Sequence, residues 1–210
     1  MKRPSVMEVG KLVAHPLNRK LYGNAPPDLG LLESVRNLGI IEPITLITMR
    51  SLDPAEYADG VGRIYVLSGH RRFLAAKQLG LKTIPVRWSD LDPNDTVAVE
   101  QHLIESNRQR VKTQEQIGRE AKELLRIESG LAKKRQGART DIVAKLPPSS
   151  MGKARDKAAE AVGMGARTAD KLIKIIDAAD AGDVRARALL DAVNERKQSI
   201  DSAYKKLKAA

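Results

Sequence analysis

The residues best suited to chemistry are two consecutive arginines, Arg71 and Arg72, which directly follow Gly69 and His70. A short apolar run at residues 65–67 precedes them, and apolar residues at helical spacing follow them. The spacing predicts a strand, a tight turn and a helix, an order that aims backbone N–H groups at whatever lies above the turn. Planar guanidinium groups and helix N-terminal amides both suit phosphate oxygens, so the sequence predicts an anion site at this turn.

A second interpretation stays open for the same two arginines. Cations in the first turn of a helix face the positive end of the helix dipole, which favours a compensating anion nearby. That anion is either a ligand phosphate or an Asp or Glu side chain of the protein, and the arginines could also extend into solvent. The local pattern alone does not separate these alternatives.

The elements that must position this turn alternate between strands and helices. Asp28 is a candidate N-cap and Gly39 a candidate C-cap of the first helix. Short alternating elements favour a compact domain with a small mixed sheet, with an exposed connection at residues 50–62. The predicted strands are residues 5–14, 43–49, 65–68 and 84–88, and the predicted helices are residues 28–38 and 71–79.

The second half of the chain is predicted to be helical, with no strand after Trp88. Residues 131–152 are polar, basic and interrupted by prolines, and are the best candidate for a linker. The predicted helices are residues 96–106, 113–130, 154–162, 167–179, 183–193 and 199–207.

Two of these helices, 154–162 and 167–179, are joined by the glycine-containing turn Gly163-Met164-Gly165. This layout is typical of a helix-turn-helix, whose second helix enters the major groove of DNA. An ordinary helical hairpin has the same pattern and remains the alternative. In the DNA-binding interpretation the second helix would contact phosphates and base edges through Arg167, Thr168, Asp170, Lys171 and Lys174.

Composition narrows the function classes. The formal net charge is +11, and residues 101–210 hold 24 basic against 15 acidic side chains, whereas the first 100 residues hold 13 against 11. The excess in the second half favours a polyanionic partner, with nucleic acid first. The absence of cysteine excludes disulfides, thiolate metal sites and cysteine nucleophiles. No segment is apolar enough to span a membrane, so we expect a soluble, cytoplasmic chain.

Three segments in order carry a family resemblance: GIIEPI at 39–44, SGHRRFLAA at 68–76 and IESNRQR at 104–110. Together they resemble the three boxes of the ParB family of partition proteins, whose N-terminal domain shares its fold with sulfiredoxin. The sequence HPLN at 15–18 is similar to the segment that opens that domain, and the resemblance extends over about residues 10–128. It implies a protein that binds CTP with magnesium, hydrolyses it slowly and dimerises differently when loaded.

The resemblance also implies roles for individual residues. By position, the segment from Gly69 through His70 to Arg71 and Arg72 would cradle the triphosphate. Asn107 would help to hold phosphate or metal, and Arg110 would be a supporting cation.

The chain departs from the family pattern at two carboxylates. His70 stands where the family has Glu in the second box, and Ser106 stands where it has Glu in the third. Glu105 lies one residue earlier and on a helix points about 100° away. We therefore expect nucleotide binding without efficient hydrolysis, at most a slow CTPase, with no confident catalytic residue. His15 and His102 are interpreted as structural or surface residues.

The sequence thus predicts an α+β fold class: a small mixed-sheet ParB/sulfiredoxin-like domain followed by an all-α helix-turn-helix domain. The predicted division is a nucleotide-binding domain at 1–95, bridging helices with the third box at 96–130, a linker at 131–152 and a DNA-binding domain at 153–210.

The predicted function is sequence-specific DNA binding of ParB type, regulated by CTP, in plasmid, phage or chromosome partition or in transcriptional regulation. Expected partners are double-stranded DNA, a second copy of the chain in a homodimer and, as a candidate, a partition ATPase, at the nucleoid in the cytoplasm. Two alternatives remain: a phosphoryl-transfer enzyme, either an ATP-dependent kinase or a nuclease on the same fold, and a regulator with a vestigial nucleotide pocket.

Overall fold

The computed structural model describes residues 5–23, 26–50, 62–137 and 149–209. The chain divides into two compact units, Met1–Arg110 and Val111–Ala210. None of the described helices has the length and apolar composition that a membrane crossing requires.

The first unit contains five strands and four α-helices among its described residues. The strands are β1 (Ser5–Glu8), β2 (Leu12–Ala14), β3 (Ile44–Arg50), β4 (Gly62–Ser68) and β5 (Thr83–Trp88), and the helices are α1 (Pro16–Tyr22), α2 (Leu29–Leu38), α3 (His70–Gln78) and α4 (Thr96–Glu105). The strand order is β1-β5-β3-β4-β2. The β1/β5 and β3/β4 pairs are antiparallel, and the β5/β3 and β4/β2 pairs are parallel. The predicted small mixed sheet is confirmed.

The prediction of one strand at residues 5–14 is wrong. A 3-10 turn at Val9–Lys11 divides this segment into β1, which pairs with β5, and β2, which pairs with β4. The backbone N–H of Val9 still donates to the carbonyl of Lys82, the next pair in the β1/β5 register, before the chain leaves β5. The turn thus sends one short segment to the two opposite edges of the sheet.

The core of the first unit lies where α2 and α3 pack near the sheet. It is built from apolar side chains that are almost fully buried, including Ile44, Leu46, Val66, Phe73 and Val86. Helix α4 also belongs to this unit and contacts β4. The predicted bridge at 96–130 is therefore divided between the two units, and the third box lies in the first.

The second unit is helical throughout its described residues. Its helices are α5 (Gln114–Gly137), α6 (Ser149–Ala161), α7 (Ala166–Asp180), α8 (Val184–Asn194) and α9 (Ile200–Lys208). Helix α5 continues seven residues beyond the predicted end at 130, and α6 begins before the predicted end of the linker at 152. Helices therefore occupy both ends of the predicted linker, 131–152, and residues 138–148 lie outside the described residues. The helix formers that follow Gly130 outweigh the cost of about 1 kcal/mol that a helical glycine carries.

The core of the second unit is centred on α7, whose Leu172, Ile175 and Ile176 are fully buried. Helix α5 comes very close to α7 at Gly118, where a β-carbon would lie 2.5 Å from Ile176 Cδ1 and 2.8 Å from Leu172 Cγ. Glycine at this position lets the two helix backbones approach.

Candidate nucleotide site and nucleic-acid interface

The turn between β4 and α3 requires glycine at position 69. Gly69 has a φ of 90°, in the left-handed region. A β-carbon there would lie 3.2 Å from Ile44 Cγ1 and 3.3 Å from a terminal nitrogen of Arg72. The guanidinium of Arg72 therefore folds back against the turn, which places a fixed cation beside the backbone N–H groups that open α3.

Carboxylates of the protein compensate both arginines. Arg71 donates to the carboxylate of Asp28, whose other oxygen caps α2 by accepting from the N–H of Leu31 at 2.8 Å. Arg72 pairs with the carboxylate of Glu42 at 3.1 Å and also donates to the Glu42 carbonyl. The structure therefore shows the acidic partners of both arginines. Glu42 belongs to the first predicted box, and Asp28 is the N-cap of α2.

These acidic partners are exposed. The side chains of Asp28 and Glu42 are 61% and 81% exposed, whereas that of Arg72 is 23% exposed. The hydrogen bond from Leu31, with the charge of Arg71 helping, lowers the pKa of Asp28 below its ordinary value. Exposed ion pairs contribute little to stability, so a ligand phosphate can replace these acids at low cost.

His70 is the first residue of α3 and is mostly buried. Burial lowers its pKa to about 4, and the nearby positive charges of His15 and Arg110 act in the same direction. Its ring meets Phe73 edge to face with centroids 6.3 Å apart. At neutral pH this side chain is an uncharged hydrogen-bonding group beside the two arginines.

Helix α1 brings further polar side chains to this region. His15 caps α1 by accepting from the N–H of Leu17 at 3.2 Å and packs edge to face on Tyr65, which confirms its structural interpretation. Arg110 lies over the ring of Tyr22 at 5.0 Å. Asn18, one helical turn beyond His15, is 3% exposed, and its Oδ1 accepts no hydrogen bond from the described residues.

Sequence reasoning missed Asn18 and Tyr22. The HPLN segment contributed to the family resemblance, but the sequence does not show that these polar side chains are buried. A buried carbonyl oxygen without a donor costs about 1–3 kcal/mol, which a ligand donor would remove. The cations beside the Gly69 turn suit an anionic group, and the unsatisfied oxygen of Asn18 suits a hydrogen-bond donor.

The third box lies at the end of α4. Asn107 donates its Nδ2 to the Leu103 carbonyl at 2.9 Å, and Ser106 donates its hydroxyl to the same carbonyl. Glu105 pairs with Arg108 at 3.1 Å, and both side chains are exposed. Among the described residues, no group of three His, Asp or Glu side chains is placed to hold a metal ion. The Asn107 amide oxygen stays the predicted metal ligand, and magnesium commonly takes few protein ligands.

The predicted DNA-contacting residues on α7 separate into two sets. Arg167 and Thr168 are exposed at the start of the helix. Lys171 pairs with Asp201, and Lys174 donates to the Tyr204 hydroxyl at 3.4 Å, so both contact α9.

The sequence analysis did not anticipate Arg155 and Tyr204 as members of this surface. Arg155 of α6 donates to the carboxylate of Asp170 at 3.1 Å. Asp170, a predicted DNA-contacting residue, thus forms an ion pair between α6 and α7. Both contacts depend on the packing of separate helices, which no local pattern encodes.

Comparison with known proteins agrees with this geometry. The fold and turn define an α+β domain of the ParB N-terminal type, and the ParB N-terminal domain family matches residues 29–107. Over these residues, which are less than half of the chain, the match confirms the resemblance to the ParB N-terminal domain. No curated protein matches the chain.

One of three similar solved structures, with a TM-score above 0.5, supports the same fold. The C2221 form of a pNOB8-like ParB-N domain matches with a TM-score of 0.56 and 15% identity, covering 95% of this chain and 77% of that one. The C-terminally truncated ParB from Caulobacter crescentus, solved with the centromeric parS site, is 20% identical with a TM-score of 0.39, covering 98% and 100%. The same Caulobacter protein with CTP-gamma-S is 20% identical with a TM-score of 0.37, covering 90% and 93%.

Proposed function

We propose that the chain is a nucleotide-regulated, sequence-specific DNA-binding protein, with CTP and magnesium at the Gly69 turn and DNA at the second unit. The observation that carries the proposal is the arrangement of Arg71 and Arg72 at a glycine-only turn, each held by an exposed acid. Triphosphate oxygens would replace Asp28 and Glu42 as partners of these arginines.

Other side chains of the first unit complete the proposed nucleotide site. Neutral His70 and the cation Arg110 would contact phosphate or sugar oxygens, and Asn107 would hold the metal or a phosphate. Asn18 would accept a hydrogen bond from an amino group of the base, which cytosine and adenine have and uracil lacks. CTP is the choice that the family resemblance implies.

DNA binding is proposed for the second unit because it carries the positive excess of the chain. Arg167 and Thr168 at the exposed start of α7 would reach base edges in the major groove. We further propose a homodimer at the nucleoid, acting in partition with a partition ATPase or in transcriptional regulation.

One titration tests the nucleotide part. CTP, ATP, GTP and UTP are added with magnesium to the full chain, and binding is measured by isothermal titration calorimetry. We expect CTP to bind, and Arg71→Ala to weaken its affinity about 10- to 100-fold through loss of a charge-assisted contact. Lys77→Ala removes the same charge from the exposed far end of α3 and should leave the affinity unchanged.

The same preparation is then tested for DNA binding with and without CTP. Absence of binding by all four nucleotides, or equal effects of Arg71→Ala and Lys77→Ala, would disprove the phosphate cradle. Steady nucleoside diphosphate release that depends on a small hydroxyl substrate, without any DNA affinity, would favour the kinase alternative.

A further inference from the structure

A shallow cleft of about 380 Å³ lies between α7 and the last helix, α9. We name it the α9 cleft; its lining residues are Lys171, Asp201, Tyr204, Lys205, Lys208 and Ala209. On α9 the positions 201, 204, 205 and 208 share one helical face. The sequence analysis assigned no role to this face.

The α9 cleft is strongly positive around a single aromatic ring. The Nζ atoms of Lys174 and Lys208 lie 5.7 Å and 5.3 Å from the centroid of Tyr204. Partial burial acts to raise the pKa of Tyr204, but the hydrogen bond and charge of Lys174, with the charge of Lys208, lower it below its ordinary value. The phenol hydroxyl is therefore a strengthened donor between two ammonium groups.

One carboxylate, that of Asp201, lines the cleft. It accepts hydrogen bonds from Lys171 and from Lys205, the latter at 3.0 Å, and these bonds lower its pKa. Four lysines, with Lys174 at the edge, thus face one acid. The cleft therefore carries a net positive charge. Its exposed ion pairs contribute little to the stability of the fold.

We infer that the α9 cleft binds the sugar-phosphate backbone of duplex DNA, with Lys205 and Lys208 contacting phosphates and Tyr204 donating its hydroxyl. This inference rests on the proposed DNA-binding function. It assigns the predicted DNA-contacting residues of α7 to two kinds of contact. Lys171 and Lys174 contact α9 and would bind the DNA backbone. Arg167 and Thr168 would contact the base edges. An open cleft with cations along one helical face suits a polyanion that passes across it.

The test measures binding of the full chain to duplex DNA by fluorescence anisotropy as a function of salt. A double variant, Lys205→Gln with Lys208→Gln, should lower the slope of log K against log salt by about 1–2, since each phosphate contact contributes about 0.9. The loss of affinity should be equal for a preferred site and for random sequence, because phosphate contacts carry no base information. Lys197→Gln, in the turn before α9, is the control with the same charge change outside the cleft and should leave the slope unchanged.

A second variant should raise the DNA affinity instead of lowering it. Asp201→Asn removes the acid that competes for Lys171 and Lys205, so DNA affinity should rise about two- to threefold. A merely structural role of Asp201 would lower the affinity instead, together with the thermal midpoint.

The outcomes separate this inference from the proposed function. If the wild type binds DNA but the double variant keeps the full salt slope, the α9 cleft is not a backbone site while the proposed function stands. If the wild type binds no duplex DNA at all, both fail. Binding of a polyglutamate peptide as tight as DNA, lost in the double variant, would identify an acidic protein surface as the occupant and overturn the DNA assignment.

Discussion

The two units of the chain hold their arginines in opposite ways. In the first unit, Arg71 and Arg72 each pair with one acid, and those acids, Asp28 and Glu42, are 61% and 81% exposed. Each pair joins residues distant in the chain, and water reaches both carboxylates. These are partners that a ligand can replace.

In the second unit two arginines share one mostly buried carboxylate in a network. Glu115, 16% exposed, accepts from Arg119 at 2.9 Å and from Arg187 at 3.0 Å, and Asn194 bonds its backbone N–H and its carboxylate. Arg119 also binds Asp180 at 2.6 Å. Burial acts to raise the pKa of Glu115, but the hydrogen bonds from Arg187 and Arg119 hold it below its ordinary value.

The difference separates exposed single ion pairs, where a binding site is proposed, from a shared ion-pair network. Removing one partner of a buried, multiply bonded charge leaves the others uncompensated, whereas removing one partner of an exposed pair returns the other to water. Arginine pairing alone therefore does not indicate function.

The largest expected effect is on the buried network. Glu115→Gln should destabilise the second unit by about 3 kcal/mol, because it weakens charge-assisted hydrogen bonds to two arginines. Urea unfolding followed by far-UV circular dichroism measures it, since the second unit is helical. Trp88, the single tryptophan, lies in the first unit. Its fluorescence should report an unchanged unfolding transition of that unit. Equal shifts by both probes would contradict the separation of the two sets.

The next effect compares two glycines with positive φ in the first unit. Gly69→Ala and Gly80→Ala both place a side chain in the left-handed region, which costs about 1–2 kcal/mol. Only at Gly69 does the new β-carbon also press on Ile44 and on the Arg72 guanidinium, whereas nothing lies within 4 Å at Gly80. Nucleotide affinity, measured by calorimetry, should fall at least about tenfold for Gly69→Ala and stay unchanged for Gly80→Ala. Loss in both variants would mean that strain, rather than the position of Arg72, controls binding.

Acid should affect the two units in different pH ranges. Burial lowers the pKa of His15 and of His70 from 6.5 to about 4, so between these values the unfolded chain binds protons that the folded first unit does not. Stability of the first unit is therefore lost as the pH falls from 6.5 towards 4. The pKa values of Glu115 and Asp180 are lowered in the fold, so their contribution is lost only below about 4.5, as the pH falls through the folded values.

Urea unfolding at pH 7, 5.5 and 4.5 with the same two probes checks this order. His15→Asn keeps a good N-cap and should reduce the pH dependence of the Trp88 transition. His102→Gln, at an exposed position of α4, should not change it. Loss of the second unit before the first would contradict the assignment.

Much of the fold followed from local patterns. The strand, turn and helix at residues 65–80 and the order of helices after Trp88 were predicted because periodicity and glycine punctuation are encoded within short segments. The division of residues 5–14 into two strands was missed, since it depends on which neighbours the chain finds at the two sheet edges. The extension of α5 was missed because a single Gly130 was given too much weight.

The cations of the candidate site were predicted from the sequence, but their acidic partners were not. Arg71 and Asp28 are 43 positions apart, and Lys171 and Asp201 are 30 apart. Such pairs exist only once the elements have packed, so a sequence can nominate the cations and still leave their partners open. The roles of these residues toward nucleotide and DNA remain predictions.

The most direct measurement of the central claim is the effect of Asp28→Asn on CTP affinity. Asparagine keeps the cap of α2, because its side-chain oxygen can still accept from the N–H of Leu31, and it removes only the charge that competes for Arg71. Calorimetry of this variant beside the wild type should show CTP affinity raised about two- to fivefold, with an unchanged unfolding transition of Trp88. Unchanged or weaker CTP binding by a folded Asp28→Asn variant would contradict the exchange of acid for phosphate at this turn.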